Sequence, residues 1–167
     1  MAVVTLVGSR IMDGLDNTPV DLASPGLAGG DLQVWVETVE CNADDDTGST
    51  YHLARLPSNA RILGISKLSW DDLATSGAPT LDIGIYNRSG ASDITNDVDA
   101  LSSGHAVSSA SSGNLLAGIA TYGDALWEYV TSETVDPKVS LDIKAVLADA
   151  AVTTAGTITV EIYYTID

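Results

Sequence analysis

The residues best equipped for chemistry in this 167-residue chain are acidic. Asn42, Asp44, Asp45 and Asp46 run into Thr47-Gly48, and Asp93, Asp97 and Asp99 form a second cluster. Oxygen-rich loops of this kind suggest calcium, whose helical-hand loops space their carboxylates at fixed intervals and close on a bidentate glutamate. The spacing does not fit. Counted from Asn42, Thr47 falls where the loop glycine belongs and Leu53 where the glutamate belongs; counted from Asp44, Arg55 comes last. A solvated turn is the simpler reading, with an irregular calcium site as the alternative. His52 and His105 are too few and too far apart for a zinc set of three or four ligands. Cys41 is the sole cysteine, so neither an intramolecular disulfide nor a thiolate cluster can form, and a buried thiol is expected. Serines surround His105, but no Gly-x-Ser-x-Gly elbow accompanies them. Asp82 and Asp142 sit singly among apolar strand residues, with nothing to pair them as acid and base. No catalytic residue, metal ligand or cofactor-binding set emerges, and the chain reads as a non-enzyme whose function lies in what its surfaces touch.

The elements that form those surfaces are strands. In Thr50 to Trp70 an alternating run (Tyr51, Leu53, Arg55 against His52, Ala54, Leu56) meets Pro57-Ser58-Asn59, and a second run follows from Ile62. Strand, Pro/Asn turn, strand is a unit of antiparallel β structure. Further strand-like runs fall at about 31–40, 80–87, 139–147 and 157–166. Residues 88–121 are rich in Ser, Gly and Asp and read as long loops, with a weak strand candidate near His105 to Ser109. Leu126, Trp127 and Val130 have near-helical spacing, which predicts one short helix of about two turns over 123–130. Residues 1–30, turn-rich around Pro19, Pro25-Gly26 and Gly29-Gly30, read as an extended arm ahead of a single domain at 31–167. The expected class is all-β: an antiparallel sandwich.

Two runs allow more detail. Val139, Leu141, Ile143, Ala145 and Leu147 share one face, and Ile158, Val160, Ile162, Tyr164 and Ile166 share another. If these strands are neighbours, setting Ile143 against Ile162 brings Lys144 opposite Glu161, whereas a slip of two residues sets Asp142 against Glu161. Trp35, between Gln33 and Glu37, and Tyr163, sharing a face with Glu161 and Thr159, stand on polar strand faces. There they mark either a covering arm or a partner contact.

Charge removes some partners. Seven Lys and Arg face 23 Asp and Glu, a formal charge of −16. Phosphate contact needs clustered cations, so nucleic-acid binding is not expected. Spread over about 7,800 Å² of folded surface, the net charges stand about 22 Å apart, well beyond the Debye length of about 8 Å. The fold can carry them. The apolar start MAVVTLVGSR lacks the basic region and cleavage site of a signal peptide, and no apolar stretch approaches the roughly 20 residues of a membrane span. Synthesis in the cytoplasm is the default expectation.

The order TYHLARLPSNARI, LDIGIYN at 81–87 with Asp82, Gly84 and Tyr86 in an Asp-x-Gly-x-Tyr run, Leu126-Trp127-Glu128 and a closing GTITVEIYYTID resembles head decoration (capsid cement) proteins of tailed bacteriophages. The resemblance covers about residues 48–167. It implies a jelly-roll-like sandwich on the outer surface of an icosahedral capsid, made in the host cytoplasm and clamping adjacent major capsid protein subunits as a dimer or trimer. A tail or fibre component, or a carbohydrate-binding sandwich, is the alternative. Under this reading the contact residues are expected in the arm (Val3, Val7, Arg10, Leu15 and Leu22) together with Trp35 and Tyr163.

Overall fold

In the computed structural model, residues 30–88, 90–119 and 121–166 are described. The expected arm, with Val3, Val7, Arg10, Leu15 and Leu22, lies outside them. The described residues form an antiparallel β-sandwich of nine strands: β1 (Gln33–Cys41), β2 (Thr50–Pro57), β3 (Ala60–Ile62), β4 (Lys67–Trp70), β5 (Thr80–Tyr86), β6 (Asp97–Ala106), β7 (Ser111–Asn114), β8 (Ser140–Ala148) and β9 (Gly156–Ile166). One sheet has the order β1-β9-β4-β7, with β3 continuing the line of β4 along β9; the other has the order β2-β8-β5-β6. Counting β3 and β4 as one broken strand, the chain is a long hairpin wrapped over itself. First strand pairs last, second pairs eighth, and β5 and β6 meet at the tip. That is the jelly roll.

Alternation explains which residues meet in the middle. Leu141, Ile143, Ala145 and Leu147 of β8 and Ile158, Val160, Ile162 and Tyr164 of β9 are all buried, as their spacing predicts. The two strands are not neighbours, however. β8 lies between β2 and β5 in one sheet, and β9 between β1 and β4 in the other. The expected pairing of Ile143 with Ile162 is therefore wrong. Two apolar faces have been satisfied by packing the sheets face to face rather than side by side. Glu161 instead finds Lys67 across the β4–β9 ladder, and Lys144 stands opposite His52 and Gly84.

The Pro57-Ser58-Asn59 turn likewise joins strands that do not pair: it carries the chain from one sheet to the other. Its side chains hold that crossover. Ser58, fully buried, donates its hydroxyl to Asp136 at 2.6 Å and accepts the Val139 N–H at 3.2 Å, while its carbonyl accepts the Trp127 N–H. Arg61 reaches the Gly123 carbonyl at 2.7 Å. Between them these contacts pin residues 123–139 against the crossover. The helix expected over 123–130 is accordingly only a single 3-10 turn, Leu126–Tyr129, in which the Glu128 carboxylate accepts the Ala125 N–H.

Residues 88–121 depart furthest from the loop expectation. They contain β6 and β7. β6 breaks register with β5 twice, and Leu101 and Ser102 are buried side by side, so the period-2 signal is lost.

Candidate functional site

The acidic clusters and histidines are the side chains with the most scope for chemistry. In the 42–48 loop, Asp45 accepts the Tyr51 hydroxyl at 2.8 Å and the Asn42 N–H at 2.9 Å, and Asp46 accepts the Thr47 N–H at 2.8 Å. These carboxylates cap their own turn. Among the described residues no three His, Cys, Asp or Glu side chains converge as metal ligands would. Cys41 is buried, and burial pushes its thiol up to about 11, so it stays protonated and inert near neutrality.

His105 and Ser102 do come together, with Nε2 and Oγ 2.8 Å apart, but both are buried and the imidazole packs against Trp70 at 5.4 Å between ring centroids. Asp82, the acid whose charge acts on the ring, spends its carboxylate on the Gly104 N–H. A serine–histidine pair sealed in a core is a packing element. It has a thermodynamic consequence, because burial, only partly opposed by Asp82, lowers the His105 pKa below its ordinary 6.5. Below that value the unfolded chain takes up a proton that the folded protein resists, so stability falls as the pH drops from about 6.5. The slope can reach about 1.4 kcal/mol per pH unit. Urea denaturation of the wild type at pH 7.5, 6 and 5 should show this loss, and His105→Gln should flatten it. An equal slope in the variant would refute the assignment. Asp142 acts in a separate, more acidic window. Burial alone would raise its pKa, but two Arg55 hydrogen bonds (2.5 and 3.1 Å) and the charges of His52, Arg55 and Lys144 outweigh burial and hold it below 3.8.

The surface lead is β1, and there the faces are the reverse of those expected. Trp35 is turned towards the core and donates its indole N–H to the Leu53 carbonyl at 3.0 Å. The opposite face, Leu32, Val34 and Val36, is 56, 52 and 61% exposed. Tyr163, across from Val34 on β9, is half-buried and continues this stripe, as expected for an outward aromatic. Beyond Val36 the face turns polar, with the Thr38 and Thr159 hydroxyls 2.9 Å apart and Glu161 opposite Lys67. Around the edge, Trp35 and Glu37 of β1 and His52 to Arg55 of β2 line a shallow groove of about 310 Å³. In the sequence this aliphatic stripe reads only as the face opposite Trp35.

No family model matches the chain, and no curated protein matches it. Solved structures do. A chain of the cyanophage Pam1 capsid asymmetric unit superposes with a TM-score of 0.57 at 21% identity, covering 93% of this chain and 100% of that one. A chain of the capsid of Ralstonia phage GP4 gives 0.48 at 19% identity, covering 81% and 85% of the two chains. A chain of the acidic stable capsid structure of Helicobacter pylori bacteriophage KHP30 gives 0.39 at 12%, covering 80% and 92%. The fold-level likeness rests on the first. At that identity it is a likeness of fold.

Proposed function

We propose that this protein is a structural component of a tailed-phage virion that decorates the outer surface of the capsid and clamps adjacent major capsid protein subunits, acting as a homo-oligomer. One observation carries the reading: this jelly-roll chain superposes, over nearly the whole of both chains, on a chain of the cyanophage Pam1 capsid asymmetric unit with a TM-score of 0.57. The chemistry is consistent with it. The −16 charge, with only seven cations, suits an exterior position better than contact with packaged DNA. Among the described residues, Leu32, Val34 and Val36 form an exposed aliphatic strip at a sheet edge, a surface suited to contact. The arm at 1–30 would supply a second attachment, and two weak attachments on one rigid body gain through effective concentration.

The test is to quantify the protein in purified virions. A copy number close to that of the capsid subunit, with the protein accessible to externally added protease or antibody, is expected. Heads made without it should release DNA at a lower temperature than complete heads. Absence from the head, or a few copies confined to the tail, would overturn the proposal.

A further inference from the structure

Four strands end the two sheet orders, and three of them are guarded. β2 is kinked by a bulge between His52 and Ala54, and side chains occupy the backbone carbonyls there: Trp35 on Leu53, and the His52 ring on Ala54 at 3.0 Å. β6 breaks register twice and carries Asp97, Asp99 and a left-handed Gly104. β7 is only four residues long, Ser-Ser-Gly-Asn. Bulges, charges and shortness are the usual ways of keeping a sheet edge from pairing with another chain. β1 has fewer of them. It runs nine residues in unbroken register with β9, and its outer face displays Val34 and Val36, with Leu32 exposed just before it.

We propose that β1 pairs antiparallel with β1 of a second copy of this chain, across a two-fold axis passing through Trp35. Such an interface is isologous, so the same strip both supplies and covers the apolar surface. Its register can be derived. Residues directly opposite in an antiparallel pair share a face, so the axis must pass through a residue and not between two. An axis through Val34 sets Asp31 against Glu37, and one through Glu37 sets that carboxylate against itself; both are like-charge pairs. An axis through Val36 sets Val34 against Thr38 and Trp35 against Glu37. Shifts towards either end leave much of the strand unpaired. Centred on Trp35, the pairing sets Val34 against Val36 twice, and Gln33 against Glu37 twice, where an amide N–H can meet a carboxylate. Leu32 falls opposite Thr38, and no two acids stand directly opposite. Tyr163 flanks the joined strip from β9 on each side. The result is one sheet continuous through both copies. The edge and its side chains favour this pairing whether or not the protein sits on a virion.

Sedimentation equilibrium of the full-length protein, over about 1 to 100 µM, tests this. The expected species is a dimer of the 17.3 kDa chain. Val34→Glu, at a half-exposed site that the isolated fold tolerates, should weaken the dimer by about a hundredfold or more, because the change is counted twice across the axis. Adding Val36→Lys in the same chain should restore it, since position 34 then faces its opposite charge in the other copy. A wild-type monomer throughout the range would overturn the proposal. So would an assembly indifferent to Val34→Glu, or a double variant as weak as the single one.

Discussion

Replacing Gly84 with alanine is expected to destabilise the fold by more than about 3 kcal/mol and to lower its melting temperature by roughly 6–12 °C. The reason is proximity rather than torsion. A Cβ built on Gly84 would lie 2.2 Å from the Asp97 carbonyl oxygen and 2.5 Å from the carbonyl carbon and oxygen of Val98. All three atoms are backbone, so no side chain can rotate away. β6 would have to lift from β5 where their register is already broken between Ile83 and Ile85, and both of those isoleucines are fully buried. Gly84 is the middle residue of the Asp-x-Gly-x-Tyr run; its place there is set by the close approach of the neighbouring strand. Thermal or urea denaturation decides the matter. A melting temperature within about 2 °C of wild type would mean that β6 does not cross so near.

Ile162→Ala should cost about 3–4 kcal/mol, within the range for emptying a fully buried aliphatic site. β9 is paired along both sides, with β1 on one and with β3 and β4 on the other. Its inward residues therefore cannot be approached by collapse of a loose edge strand. Ile162 is fully buried and stands opposite Trp35 in the ladder, so the cavity would open beneath the indole that closes the seam to β2. A companion change on the outer face of the same strand, Thr159→Ala, removes only an exposed hydroxyl pair and should cost less than about 1 kcal/mol. Equal losses from the two variants would contradict the assignment of faces in β9.

How much of this was legible beforehand varies with the strand. In β8 and β9 one face is apolar and the other largely polar, so alternation alone identifies both the strand and its buried side, whereas in β2 the bulge after His52 buries Leu53 and Ala54 side by side and breaks the pattern. Alternation says which way a residue points; it says nothing about which strand lies alongside. That is why Ile143 and Ile162 were expected as neighbours and are found in opposite sheets. β1 misled for a different reason. Both its faces carry hydrophobic side chains, so alternation does not tell which one turns inward. The wide indole, Val39 and Cys41 occupy the interior, leaving Val34 and Val36 in water. β6 was hidden because its bulges place buried residues at irregular intervals, and serines fill positions where a hydrophobic residue would have announced a strand. Tyr163 stood out as an aromatic on a polar face. The strip beside it did not, since only the packed sandwich shows which side of β1 is left over.

The wrapped hairpin also sets a clock. The Thr38–Thr159 contact spans 121 residues of chain, and among the described residues β9 is the only ladder partner of β1. At ribosomal speeds of about 5–20 residues per second, the first strand of the sandwich waits on the order of 6–24 s for its mate to be made. Throughout that interval an aliphatic strand has both sides open. The protein is therefore most prone to aggregate while it is still being synthesised, and slowing translation should lower its soluble yield more than any modest loss of final stability would.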